Sequence, residues 1–215
     1  MPMLAQIVLF DGFDPLDVIA PYEVLHAGGL ASDGALTVEL VSAEGPREVP
    51  SGIAPLSLRA AARLDPARAG LVVVPGAAGR MPDGAGPAAD DSIPAVLARA
   101  LETALTPLLA EAVGRPRVCV ATVCGGSLLL AAAGLIRGRA AVTHHEGMEA
   151  LGDAGALPVP ARVVDDGDLV TAAGVTSGLD LGLYLLEREV GPQAALLVER
   201  LFAHERRGVV WRAPA

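Results

Sequence analysis

Arg117-Val118-Cys119-Val120-Ala121-Thr122-Val123-Cys124-Gly125-Gly126-Ser127-Leu128-Leu129-Leu130 holds two elements and the turn between them. From Val118 to Ile136 no residue is charged, and the run is long enough to cross a bilayer. Its residue types argue otherwise. Val118–Val123 is rich in β-branched residues, Gly125-Gly126-Ser127 breaks the pattern, and Leu128–Ala133 favours helix. The spacing predicts a buried strand over Arg117–Val123 and a helix over Gly125–Leu135 closed by Gly138, so no membrane span is expected. A short strand that is apolar at nearly every position is buried on both faces, which implies a parallel sheet covered by helices.

The same alternation extends in both directions. Ile7–Phe10, Leu36–Val41 and Leu71–Val74 read as strands, the last ended by Pro75-Gly76. Pro21–His26 reads as a helix with Pro21 in its first turn. Ser92–Val113 reads as mostly helical, with Pro94 near its start and Pro107 as a kink or break. Ala140–Thr143 is a short strand. Arg162–Asp166 and Leu169–Ala172 flank Asp166-Gly167 as a hairpin, and Thr176–Val190 and Pro192–Arg207 are closing helices. The expected fold is α/β: a doubly wound, mostly parallel sheet flanked by helices on both faces, a flavodoxin-like sandwich formed by residues 1–215 as a single domain. Ligands of such sheets bind beyond the carboxyl ends of the strands. Three turns qualify here: those after Phe10, at Pro75-Gly76 and at Cys124.

Bulk composition fits this reading. The chain has 215 residues, 52% of them apolar but only 3% aromatic, so the core must be built from Ala, Val and Leu. The formal net charge of −9 and the scattered basic residues argue against nucleic acid as a partner. Two cysteines make no disulfide framework, so a reducing cytoplasm is the expected setting. Met1-Pro2-Met3-Leu4 lacks the basic start of a signal peptide.

Cys124 follows a strand and opens a helix. The free N–H groups of a first turn and the helix dipole both favour a thiolate, lowering a thiol pKa from roughly 8.5 toward about 3.5–7.5. Gly125 and Gly126 suit a turn with little room for side chains. A buried structural cysteine is the alternative. Cys119, mid-strand, reads as core, and extended chain puts it beyond disulfide reach of Cys124. Asp17, among apolar neighbours, is either a helix N-cap or a carboxyl group aimed into a site. Glu23 has the same ambiguity and equally suits a solvated face. His144 could serve Cys124 as base or orienter. His144-His145-Glu146-Gly147-Met148-Glu149 lacks the His-Glu-x-x-His spacing of a zinc site. Neither a G-x-S-x-G elbow, nor a P-loop, nor G-x-G-x-x-G occurs. Gly76-Ala77-Ala78-Gly79 is either an oxyanion-binding loop or a tight turn.

Several segments together resemble the ThiJ/PfpI superfamily of the class I glutamine amidotransferase-like fold. They are Phe10–Asp17, Pro21–Leu25, Val74-Pro75-Gly76, Val123–Leu128, Ala132–Arg139, Thr143-His144 and Ala173–Asp180. Within it the chain looks most like the isocyanide (isonitrile) hydratases. The resemblance implies Cys124 as nucleophile on the isocyanide carbon and Asp17 as general acid/base. Water then completes the addition to an N-substituted formamide. It further implies substrate contacts from Gly76, Ala77, Gly125 and His144, a homodimer, a small-molecule substrate, and no metal or other cofactor. A carboxyl group beside a thiolate is expected to stay protonated, because adjacent negative charges repel. The pattern departs at Gly125, where a hydroxyl residue is usual, and at His145, where an aromatic one is common. His204, the late histidine, is followed by Glu205 and Arg206 in a charged helix end, so glutaminase chemistry is not expected.

Three functional readings follow. The first is a cysteine-dependent hydratase or hydrolase of a small electrophile, with isocyanides in the lead. The second is glyoxalase- or deglycase-like action on α-oxoaldehydes. The third is a ligand- or redox-sensing domain without turnover, related to those of AraC-type regulators; with no DNA-binding module here, it would need a partner chain.

Overall fold

The computed structural model describes residues 2–81 and 90–214. Met1 and Ala215, the outer limits of the expected domain, lie outside the described residues. In chain order the elements are β1 (Met3–Leu9), α1 (Pro15–Ala31), β2 (Leu36–Ser42), β3 (Arg47–Pro50), β4 (Ser57–Ala60), β5 (Ala62–Arg63) and β6 (Leu71–Val74). Then come α2 (Ile93–Leu101), α3 (Leu105–Val113), β7 (Cys119–Val123), α4 (Gly126–Ala132), β8 (Ala140–Ala141), a 3-10 turn (His145–Gly147) and α5 (Met148–Asp153). The chain continues through β9 (Leu157–Pro158), β10 (Val163–Asp165), β11 (Leu169–Ala172), α6 (Ser177–Glu189), α7 (Pro192–Leu201) and β12 (Trp211–Arg212).

Eight strands form one sheet in the order β12-β10-β11-β7-β6-β1-β2-β5. All neighbouring pairs are parallel except the β10–β11 hairpin, which turns at Gly167. The fold is therefore the doubly wound, mostly parallel sandwich expected. Helices α1, α6 and α7 pack on one another, as do α2, α3, α4 and α5 in smaller pairings, so both faces are covered. β6 and β7 are buried at every position. Each fully buried Val or Leu there contributes roughly 1.5–3 kcal/mol relative to exposure. The buried polar Gln6 of β1 is satisfied: its amide donates to Glu39 at 2.6 Å, and its carbonyl accepts from Asp65 N–H at 2.9 Å.

Several boundaries differ from the sequence reading; β1, for one, runs Met3–Leu9 where Ile7–Phe10 was expected. α1 begins at Pro15, capped by Asp14, whose Oδ1 accepts the Leu16 N–H at 2.9 Å. Pro21 therefore lies inside the helix and not in its first turn. The Ser92–Val113 stretch is two helices bent by 79°, and Pro107 falls in the first turn of α3, where its missing N–H is not needed. α4 ends early, because Gly134 takes φ +74° and Leu135 N–H returns to Leu130 C=O. α7 stops at Leu201, and the following residues run on to β12. The apolar Val118–Ile136 run divides into β7 and α4, as expected. No single helix among the described residues is long and apolar enough to cross a membrane.

Candidate active site

β1, β6 and β7 are adjacent in the sheet, so the turns at their carboxyl ends lie side by side. Hydrogen bonds join the first two: Asp14 N–H donates to Gly76 C=O at 2.9 Å and Ala78 N–H to Gly12 C=O at 3.1 Å. The turns after β6 and β7 meet even more closely. A Cβ on Gly76 would lie 2.6 Å from Gly125 N and 2.9 Å from Asp17 Oδ2, and one on Gly126 would lie 2.2 Å from Val74 O. Only glycine fits at 76 and 126.

Cys124 occupies the elbow itself, at φ +52°. A non-glycine residue held there costs of order 1–2 kcal/mol, and the surroundings enforce it. Its N–H donates to Ala173 C=O at 2.9 Å and Ala172 C=O at 3.1 Å, while its C=O accepts the Thr143 hydroxyl at 2.7 Å. Beneath it, the Thr122 and Ser127 hydroxyls bond each other at 2.5 Å, and Ser127 donates on to Val142 C=O at 2.7 Å. The half-buried thiol faces a cavity of about 930 Å³, lined also by Gly125, Ala77 and His144.

Asp17 is fully buried. It is not the cap, a role Asp14 fills, so its carboxyl group is free to point inward from the first turn of α1. Oδ2 accepts the Gly76 N–H at 2.8 Å, and Oδ1 is buried with no partner among the described residues. Burial, then the charge of Asp14, raise its pKa well above the usual carboxylate value, against the opposing Gly76 N–H. The expectation of a protonated acid agrees with that direction.

The expectation of a lowered thiol pKa does not. Burial pushes Cys124 up to about 12, with the Asp17 carboxylate adding to the rise and the Gly125 N–H only partly offsetting it. α4 is only seven residues long, so its dipole is small against this desolvation.

The expected contact residues divide. Gly76 N–H is engaged by Asp17, whereas Gly125 N–H is directed at the sulfur. Gly125 is not a steric necessity: a Cβ there would meet Gly76 Cα at 3.5 Å and Leu97 Cδ1 at 3.6 Å, ordinary contacts. His144 lines the cavity, and its Nδ1 accepts the Glu146 N–H at 3.4 Å. The ligand-capable atoms of His144, His145 and Glu146 lie within 4.8 Å of one another at the rim, a proximity their spacing did not suggest. Glu23 is exposed, as a solvated face requires. Cys119 is buried but not simply core, since its sulfur accepts from Arg188 Nη2 at 2.9 Å. His204 bonds the buried Asp180 at 3.2 Å, away from the Cys124 cavity.

Comparison with known proteins fits this geometry. The sequence pattern of the DJ-1/PfpI family matches residues 99–188. Isonitrile hydratase of Pseudomonas putida is 48% identical over 80 residues, which span 37% of this chain and 35% of that protein. The HTH-type transcriptional regulator CdhR of Pseudomonas aeruginosa is 36% identical over 104 residues, 46% of this chain and 31% of that one. The matches thus span only about a third of either relative. An uncharacterized protein of Streptomyces lividans, encoded in the cpoL 5' region, is 36% identical over 149 residues, 66% of this chain and 88% of its own. Among solved structures, a ThiJ/PfpI family protein from Pseudomonas syringae superposes with a TM-score of 0.75 at 25% identity, over 97% of this chain and 77% of that one. Drosophila melanogaster DJ-1beta superposes with a TM-score of 0.76 at 18% identity, over 95% and 100% of the two chains. With its sheet, its cysteine elbow and these matches in agreement, the chain belongs to the DJ-1/PfpI family.

Proposed function

We propose that the protein is a cysteine-dependent hydratase that adds water to an isocyanide, with Cys124 as nucleophile and Asp17 as the proton carrier. The observation that carries this is the Asp17 carboxyl group, buried with Oδ1 unpartnered among the described residues and close enough to Cys124 to hold its thiol pKa up. A thiol with a pKa near 12 is a poor free nucleophile and needs a neighbouring group to take its proton. In the step proposed, sulfur bonds to the terminal carbon of R–N≡C while protonated Asp17 gives its proton to that same carbon and takes up the thiol proton on its other oxygen, giving R–N=CH–S–Cys124. Water then adds to this carbon, the C–S bond breaks, and the sulfur regains a proton. The product is R–NH–CHO, and the balance needs no oxidant or reductant. Gly125 N–H stands where charge on sulfur develops and is lost.

The test is turnover of cyclohexyl isocyanide by purified protein, with the formamide followed by proton NMR. Formamide should accumulate with the native protein and fall at least about 10³-fold in Cys124→Ala and about 10²-fold in Asp17→Asn. No formamide from cyclohexyl or from any bulkier or smaller isocyanide, or turnover unchanged in Cys124→Ala, overturns the reading.

The regulator match favours a second reading, a sensing domain without turnover. Peroxide sensing needs a thiolate. The raised thiol pKa weighs against it. Mass spectrometry of Cys124 after mild peroxide separates the two: rapid sulfinic acid formation supports the sensor.

A further inference from the structure

The cavity over Cys124 is large and its walls are mostly apolar. At about 930 Å³ it is near the upper end of the range of about 300–1,000 Å³ that encloses drug-sized ligands. Ile53, Met81, Ile93, Val96, Leu128 and Val175 contribute to its walls. Ile53 and Met81 are each about half exposed, 52% and 50%, although they face the cavity. Apolar side chains left wet in a concave wall gain most when a ligand covers them.

The charges at the rim point the same way. Among the described lining residues, Asp14, Asp90, Asp91 and Glu146 stand against Arg80 and Arg99. Both guanidiniums are already engaged, Arg80 with Asp91 at 2.9 Å and Arg99 with Asp90 C=O at 2.6 Å. An anionic substrate such as an α-oxo acid would meet uncompensated carboxylates.

We infer that the substrate of Cys124 is a neutral electrophile carrying a bulky apolar body of at least two rings or a long alkyl chain. Resting on the hydratase reading, this means an isocyanide whose nitrogen bears such a group, in place of a compact isocyanide or α-oxoaldehyde. Its electrophilic carbon sits at Cys124 and Gly125, and its apolar body lies along Val96, Leu128 and Ile53 toward the mouth.

Alkylation of Cys124 tests the inference without requiring hydration. Iodoacetamide, N-(naphthylmethyl)iodoacetamide and iodoacetate share one leaving group. Their labelling rates on the Cys124 peptide are read by mass spectrometry and divided by their rates with glutathione. The naphthylmethyl probe is expected to exceed iodoacetamide by about tenfold or more, and iodoacetate to be the slowest of the three. Ala150→Trp, an exposed position of α5 on the cavity wall, should lower the naphthylmethyl-to-iodoacetamide ratio by about fivefold or more. A ratio no greater than that with glutathione, or one unmoved by Ala150→Trp, overturns the inference. A parallel series of methyl, cyclohexyl and naphthyl isocyanides distinguishes the two proposals. Formamide from methyl isocyanide alone overturns the bulky substrate and leaves the hydratase standing. No formamide from any member, with the alkylation preference intact, overturns the hydratase and leaves the ligand class of the pocket standing.

Discussion

Asp17 accepts the backbone N–H of Gly76 at 2.8 Å, tying the first turn of α1 to the turn after β6. The bond uses one carboxylate oxygen and leaves the other buried and, among the described residues, unpartnered. A carboxylate in that position is costly, so the group favours its proton.

This has a consequence for stability. The folded pKa of Asp17 lies above the unfolded value near 3.8, so above that pH the folded state holds a proton that the unfolded state has released. The stabilisation is complete below the unfolded pKa and is lost as pH rises through the folded one. Asp17→Asn keeps an acceptor for Gly76 N–H and removes the titration. The Tm of Asp17→Asn relative to the native protein should therefore be higher at pH 8 than at pH 5, by about 2–4 °C, the equivalent of roughly 1 kcal/mol at this chain length. Thermal melts at the two pH values check it, and a gap that narrows at pH 8 contradicts it.

The thiol itself should titrate late. With a pKa near 12, the thiolate fraction of Cys124 rises about tenfold per pH unit across neutral and mildly alkaline pH. Iodoacetamide labelling of the Cys124 peptide should climb accordingly between about pH 7 and 10, without a plateau. Asp17→Asn should label faster toward the alkaline end of that range, where an ionised Asp17 opposes the thiolate. A plateau below pH 8 would mean that the elbow holds a thiolate after all.

The elbow strain is measurable separately. At φ +52°, glycine is free of the Cβ conflict that alanine retains. Urea denaturation should find Cys124→Gly more stable than Cys124→Ala by about 1 kcal/mol, the reverse of the usual order of these residues. Equal midpoints would indicate that the turn relaxes when the thiol is removed.

The two glycines after Cys124 should behave oppositely. Gly125 has φ −65° and ordinary clearances, so Gly125→Ala should be neutral or stabilise by about 0.4–1 kcal/mol. Gly126→Ala would press a methyl group against Val74 O at 2.2 Å and should destabilise by about 1–3 kcal/mol or more. Chemical denaturation of the pair checks both signs.

Much of this fold was legible because its signals are local. The β-branched run of β7, the Gly-Gly break and the following leucines gave the strand–turn–helix unit. Leu71–Val74 was read to the residue, since an apolar run stopped by Pro-Gly has sharp edges. The boundaries that moved depended on capping and contact. Asp14 and Asp17 are both acidic residues near a helix start, and which one caps α1 is settled by where the turn after β6 lies. The short strands β3, β4 and β9 were missed, since two to four residues of mixed polarity carry little periodic signal. Arg188 was missed as the partner of Cys119 because the two are 69 positions apart.

Cys124 shows the division most clearly. Its place at a strand–helix elbow followed from residue order alone, because turn chemistry is a property of neighbours along the chain. Its acidity did not. Helix starts favour a thiolate, and the sequence contained that half of the balance. Burial at the carboxyl end of a central strand and the nearby Asp17 carboxyl supply the other half and outweigh it. Desolvation and charge pairing act through space, so only the tertiary structure could decide the protonation state of the nucleophile and the size of the cavity before it.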